Sequence, residues 1–339
     1  MAAIDNAVSW SEIKTFQRCP KQHEYKYDQR LVPVKKARPL FLGSWFHAAL
    51  ESHYKGGDWR IGHQMFLDEY NKLFEEEREE LDKRGKLPDI VSRGIKSYLW
   101  YYKDDGWKVR EIEREFEVDT PLVLGGVRQR LKGIIDLVVE DEEGLLWIVD
   151  HKTASTIPEP TAFHAMDPQL MLYPWAAKIA FGWDIAGIYY NYVRSRAPTV
   201  PKLNKDGSVS RRKVVTDYPT LMRFIRDNGL DPDNFVEQRK ILRRKSPFLR
   251  RYKYPREKYV TKEILLDALS VTKHIREDKR RSRTITRDCA RMCPFHDICR
   301  AELNGMDTTM MRQQNFTLKE VKLVGDRPIS DFDFEAEGE

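Results

Sequence analysis

The segment GIIDLVVEDEEGLLWIVDHK, residues 133–152, constrains the fold more than any other part of this 339-residue chain. Two runs rich in Val, Ile and Leu flank a short acidic turn, the pattern of two strands joined as a hairpin. A three-residue loop, Glu142-Glu143-Gly144 with the glycine in the left-handed region, pairs Asp141 with Leu145. Counting back from that pair sets Asp136 directly opposite Asp150 on one face, with Cβ atoms about 4.5–5.5 Å apart. Asp136 interrupts an otherwise apolar strand, and a buried carboxylate is costly unless a cation meets it. Two bare carboxylates at that spacing repel, and a divalent cation between them removes the conflict. Lys152, two residues after Asp150, shares its face. His151 points the other way but can offer its backbone carbonyl. Carboxylate and carbonyl oxygens suit Mg2+ or Mn2+, and a lysine beside them can position a water and offset phosphate charge. The plainer reading of these residues is a solvated strand end with a Lys–Asp ion pair.

Around this hairpin the chain reads as helices, then strands, then a helix and a further strand. SWSEIKTFQRCP is a short helix with Ser9 as its cap, Glu12 closing a capping box, and Pro20 as its stop. GSWFHAALESHYKGG is a second helix that ends at Gly56-Gly57. Residues 60–104 are charged and helical in pattern, and VREIEREFEV alternates as a strand. After the hairpin, AFHAMDPQLMLYPWAAKIAFG is an apolar helix and IAGIYYNYVRS a strand. This order implies an α/β fold with a mixed sheet. Residues 197–260 break it, with a hairpin around Asp206-Gly207 and then QRKILRRKSPFLRRYKYPREK, which holds ten basic residues and one acid. The net charge of +6 is mild, but its segregation against the acidic end DFDFEAEGE favours a polyanionic partner. Arg243, Arg244, Arg250 and Arg251 are the expected phosphate contacts; a solvated basic face is the alternative. No apolar run approaches the roughly 20 residues needed to span a bilayer. The first residues lack a basic region followed by an apolar one, so no secretory signal is expected and the cytosol is the expected compartment.

Three of the four cysteines, Cys289, Cys293 and Cys299, share one segment, and Cys19 lies near the start. In a reducing compartment, gathered thiols more often bind metal than form disulfides. Four thiolates can hold a tetrahedral zinc or a [4Fe–4S] cluster. Zinc sites usually come as two close pairs, so one distant cysteine plus three clustered ones is a less typical zinc pattern. A Cys3His zinc site using His296, with Cys19 left free, is the alternative.

These motifs together resemble the PD-(D/E)XK nuclease superfamily. GIID…IVDHK is similar to its G-x-x-D…(D/E)-x-K core, with Asp150 where many members carry Glu. The opening SWSEIKTFQRCP, the helix GSWFHAALE, QLMLYPWA and the cysteine segment resemble, in order, the motifs of its RecB-like branch, including phage-encoded and CRISPR-associated iron–sulfur exonucleases and the AddB nuclease domain. The resemblance implies a restriction-endonuclease-like mixed sheet flanked by helices with an Fe–S-stapled terminal region; the helical and the basic stretches are insertions to which it assigns no counterpart. It implies one nuclease domain over 1–305: N-terminal helices 1–57, helical insertion 58–107, catalytic core 108–196, basic insertion 197–260, and a C-terminal helix and cysteine segment 261–305. A mobile acidic tail, 306–339, would follow. It implies Mg2+ or Mn2+ held by His47, Asp136, Asp150 and the His151 carbonyl, with Lys152 assisting the attacking water. Gln169 and Tyr173 would orient the lysine or contact DNA. Cys19, Cys289, Cys293 and Cys299 would hold the cluster. Without the resemblance, His47 is a packed or surface histidine, and Gln169 and Tyr173 are neighbours one helical turn apart. The implied activity is DNA hydrolysis, as an exonuclease on ends or single strands in recombination, repair or replication, with a protein partner from those processes. Trimming of DNA ends for CRISPR adaptation and a non-catalytic DNA-binding Fe–S or zinc protein are the alternatives.

Overall fold

The computed structural model describes residues 6–160, 166–210, 212, 214–256 and 258–319. The central hairpin forms in the expected register. Strand β4 (Val127–Glu140) runs antiparallel to β5 (Leu146–Ala154), with Leu137 opposite Val149 and Glu140 opposite Leu146. Asp141 and Leu145 close the loop by a 3.0 Å backbone hydrogen bond, and Gly144 sits at φ +78°.

Further strands extend this pair into a six-stranded mixed sheet. Strand β3 (Lys108–Leu124) lines one edge of β4 over most of its length. On the other edge β4 has two partners in succession. The short β1 (Ala7–Ser9) pairs parallel with residues 130–132, and β5 takes over at 137–140. Beyond β5 come β6 (Ile185–Arg194), parallel, and β7 (Leu249–Pro255), antiparallel to β6. The expected mixed α/β sheet is thus present, but residues 249–255 are one of its edge strands rather than part of an inserted segment. Their alternation of basic and aromatic residues fits a strand with one face against the protein and the other exposed.

Helices cover the sheet. The helices Trp10–Arg18, Pro168–Phe181 and Lys258–Glu277 pack with Ile135, Val138, Ile148 and Ile188 in one core. The first begins at Ser9, whose hydroxyl accepts from the Glu12 amide at 3.1 Å, and it buries Ile13 and Phe16. The Glu12 carboxylate turns to His23 Nε2 at 3.1 Å. A second core joins the helix Arg38–Tyr54 and the expected helical insertion (helices 60–71, 75–82 and 87–101) to Val193 and Leu249 of the sheet. Among the described residues no helix is long and apolar enough to cross a membrane.

An early and a late segment of the described chain meet in a small module. Strand β2 (Leu31–Pro33) pairs antiparallel with β8 (Phe316–Leu318), and Tyr25, Phe295, Ile298 and Phe316 form its core beside Cys293 and Cys299. A tail expected from residue 306 therefore begins too early: the helix Thr309–Asn315 and β8 belong to the fold. Phe316 supplies the apolar anchor, and residues 320–339 lie outside the described residues.

Gly133 shows why the core motif opens on glycine. A Cβ there would lie 2.7 Å from the Phe116 ring and 3.1 Å from the Tyr173 hydroxyl. Gly133→Ala is expected to overpack this contact, costing about 1–3 kcal/mol and lowering Tm measured by calorimetry. An unchanged Tm would contradict the close approach.

Candidate active site

Asp136 lies where β4 changes partners. Residues 133–136 follow the β1 pairing and precede the β5 pairing, so the sheet parts there and Asp136 faces the opening. Its Oδ2 accepts from the His151 amide at 3.0 Å, so a side chain takes the place of the next ladder carbonyl. Asp150 is buried on the neighbouring strand. Its Oδ1 accepts from Gln169 Nε2 at 2.9 Å, and its Oδ2 lies 3.0 Å from Lys152 Nζ. That contact is close but not aligned as a hydrogen bond, and Oδ2 is a buried acceptor with no hydrogen-bond donor among the described residues.

The helix after β5 positions the next two groups. Asp167 caps it by accepting from the Gln169 amide at 2.9 Å. Gln169 then reaches back, its Oε1 3.3 Å from Lys152 Nζ while its Nε2 serves Asp150. The amide bridges the two charges in the one orientation that suits both. Tyr173, one turn on, packs edge-to-face on Phe116 with centroids 5.2 Å apart. Burial and the charges of Asp150 and Asp136 push its phenol pKa up, so it stays neutral.

His47 arrives from the helix Arg38–Tyr54. Its Nε2 is 2.8 Å from the His151 carbonyl and its Nδ1 3.6 Å from Asp136 Oδ2. Burial pulls its pKa down to about 4, so the ring is neutral and keeps a lone pair for a metal. The His151 side chain points to the other side of the sheet. There its Nδ1 meets Asn191 Nδ2 at 3.1 Å, and its ring stacks on Tyr54 with centroids 5.9 Å apart.

Glu113 is the residue that sequence reasoning missed. Ile112 pairs with Leu137 and Arg114 with Ile135, so Glu113 faces Asp136 across β3 and β4. It is buried and sits at φ +48°. A left-handed non-glycine residue costs roughly 1–2 kcal/mol, and here it turns the side chain out of strict alternation. Ligand atoms of His47, Glu113 and Asp136 lie within 4.8 Å of one another. The segment offers Glu111, Glu113, Glu115 and Glu117 at equal spacing, and nothing in it marks the slip at Glu113.

Acids from three adjacent strands thus converge with one neutral imidazole and one carbonyl. Burial first, and mutual repulsion for Asp150, raise both Asp136 and Asp150 to about 6. Burial lowers the Lys152 pKa, but Asp150, Asp167 and Asp136 more than offset it, and the ammonium stays protonated. Hard oxygens and an imidazole fit Mg2+ or Mn2+, and the undonated Asp150 Oδ2 is an acceptor that a cation would satisfy.

The cysteines also converge. All four are free thiols. The Thr284 amide donates to Cys19 Sγ at 3.5 Å, its carbonyl accepts from Cys289 Sγ at 3.7 Å, and Arg283 Nε donates to Cys299 Sγ at 3.3 Å. Burial and the other three sulfurs push the Cys293 thiol up to about 11. Among the described residues no three of these sulfurs lie within 4.8 Å of one another. His296 pairs with Asp297 at 3.1 Å.

The basic stretch divides. Arg243 and Arg244 are exposed at the end of the helix Val236–Arg244. Arg250 donates to the Ser246 and Leu249 carbonyls. Arg251 is not a surface cation: it lies 3.8 Å from the Tyr102 ring centroid and 3.7 Å from that of Trp107, and pairs with Asp105 at 3.3 Å. These contacts leave its side chain only 13% exposed.

The mixed sheet thus brings two acids and a lysine together on the neighbouring strands β4 and β5. The chain belongs to the PD-(D/E)XK nuclease superfamily, whose family model matches residues 7–300. Among solved structures it is similar to the protein SSO0001, with 14% identity, coverage of 89% of each chain and a TM-score of 0.35. It is also similar to a candidate exonuclease from Eubacterium rectale, with 14% identity, coverage of 70% of this chain and 83% of that one, and a TM-score of 0.35. No curated protein matches the chain.

The raised carboxylates link metal, pH and stability. The folded chain holds protons that the unfolded chain would release, so this contribution is complete below the ordinary carboxylate range. It is lost as pH rises through about 6. A divalent cation binds the ionised form and restores stability there. Mn2+ is expected to raise Tm more at about pH 7.5 than at about pH 5. In Asp136→Asn the Mn2+ shift should vanish, and the metal-free protein should gain about 1–3 kcal/mol at the higher pH. A wild-type Mn2+ shift in that variant would remove Asp136 from the site.

Proposed function

We propose that this chain is a metal-dependent deoxyribonuclease of the RecB-like branch, acting as an exonuclease on DNA ends or single strands in recombination, repair or replication. The observation that carries the reading is the convergence of Asp136 and Asp150 from neighbouring strands, with Lys152 Nζ 3.0 Å from Asp150 Oδ2 and the ligand atoms of His47, Glu113 and Asp136 within 4.8 Å of one another. His47, Asp136, Asp150 and the His151 carbonyl hold Mg2+ or Mn2+, with Glu113 as a further ligand on the β3 side. The bound cation supplies Lewis acidity and lowers the pKa of a coordinated water. Lys152, protonated and fixed by Asp150 and Gln169, orients the attacking water by hydrogen bonding and offsets charge building on the scissile phosphate. Gln169 sets the lysine's direction, and Tyr173 walls the site as a neutral phenol.

The four cysteines hold a [4Fe–4S] cluster that joins the two chain ends. One distant cysteine with three clustered ones is a less typical pattern for zinc, whose ligands usually come as two close pairs. Backbone and arginine N–H groups aimed at the sulfurs favour thiolates. Arg243 and Arg244 meet DNA phosphates.

Digestion of end-labelled single- and double-stranded DNA with Mg2+ or Mn2+ tests the activity. Asp136→Asn, Asp150→Asn and Lys152→Ala should each lower kcat by at least about 10²–10³-fold while DNA affinity holds. Glu113→Gln should weaken Mn2+ binding with DNA affinity intact. Near wild-type cleavage by either aspartate variant would overturn the assignment. For the cluster, anaerobically purified protein should contain about four irons and four sulfides per chain. Cys19→Ala should lose them as fully as Cys299→Ala, whereas His296→Ala should not. Stoichiometric zinc without sulfide would replace the cluster.

A further inference from the structure

A cavity of about 420 Å³ opens between the end of β6 and the hairpin arm that follows it. Its volume is that of a small-ligand pocket. It begins close to the active site. Ala154 pairs with Arg194, and the Ser195 amide donates to the Ala154 carbonyl at 2.8 Å. Ala154 is two residues beyond Lys152, a strand distance of roughly 6.6 Å, or about two nucleotide rises.

The lining is strongly one-signed. Arg194, Arg196, Lys202 and Arg212 all face it, and none of its lining residues is acidic. No ion pair links any of the four to a carboxylate among the described residues. Arg194 is held in place, its Nε donating to the Ser155 carbonyl at 3.1 Å and its guanidinium over the Phe248 ring at 5.8 Å. Arg196 and Lys202 are exposed. Val215 and Phe248 supply an apolar wall, and the Thr199 amide ties the arm back to the Val215 carbonyl at 2.9 Å. Four uncompensated cations beside an apolar wall match a nucleotide, whose phosphate takes the charge and whose sugar and base take the wall. Such an excess suits a terminal phosphate monoester, with a charge of about −2, better than a backbone diester with one charge.

We propose that this pocket binds the phosphate-bearing terminal nucleotide of the DNA strand, and so recognises a strand end next to the catalytic carboxylates. The proposal deepens the exonuclease reading and rests on it for the ligand's identity. Its test uses binding without catalysis, so that failure of cleavage and failure of the pocket give different results.

The wild-type protein is titrated in EDTA against an internally labelled oligothymidylate of about eight nucleotides carrying a 5′-phosphate, a 3′-phosphate or hydroxyls at both ends, and read by fluorescence anisotropy. One of the two phosphorylated forms should bind about tenfold tighter than the hydroxyl form. The double variant Arg196→Ala/Lys202→Ala should erase that preference and leave hydroxyl-ended affinity within about twofold. Should the double variant fail to fold, Lys202→Gln alone should reduce the preference severalfold. Equal binding of all three oligonucleotides by wild type would overturn the proposal. An equal loss for all three in the variants would do so too, because it would make the pocket a general backbone contact.

Discussion

The structure depends on the register that sets Asp136 across from Asp150. Two carboxylates on adjacent strands, Asp150 buried and Asp136 half-buried, oppose folding unless positive charge reaches them. Most of the neighbouring features answer that conflict. Lys152 lies against Asp150, Gln169 fixes their separation, the His151 amide donates to Asp136, and His47 stands neutral beside it. What these contacts leave over, carboxyl pKa values raised to about 6, is the residual that a divalent cation would take up. The same unresolved charge that weakens the metal-free fold would draw a divalent cation to the site.

Access follows from how β4 is paired. Were β5 to run alongside β4 for its full length, Asp136 would sit in an unbroken ladder. Because β1 holds residues 130–132 and β5 begins at 137, the sheet parts at the carboxylate. The cation-lined cavity beyond Arg194 sits just past the end of the same strand pair. The cysteine module works at a longer range. It joins Cys19, at the end of the first helix, to the segment 283–299, and β2 to β8. The first and last parts of the fold are thereby closed on each other, which restricts a loop that is long in sequence.

Much of this was legible in the sequence because it rests on local rules. The hairpin register follows from a loop of defined length with Gly144 at its left-handed position, and that register alone places Asp136, Asp150 and Lys152. The Ser9 cap and the helical insertion are local in the same way. Where the outcome depends on tertiary context, the sequence is silent. Glu113 looks like its three neighbouring glutamates until a left-handed backbone turns it inward. Arg251 reads as one more cation in a basic run, yet the pairing of β7 with β6 sets it between Tyr102 and Trp107. The basic cavity draws on Arg194, at a strand end, and Lys202, on the arm beyond it, which are unremarkable apart from each other. Thr309–Leu318 reads as polar tail until β8 finds β2.

The central claim is that one cation bridges the strands at this register, and anomalous scattering from Mn2+-soaked crystals tests it most directly. The account predicts a manganese peak within coordination distance of the Asp136 and Asp150 carboxylates, the His47 ring and the His151 carbonyl. A fully occupied peak elsewhere in the protein, with this position empty at saturating Mn2+, would contradict it.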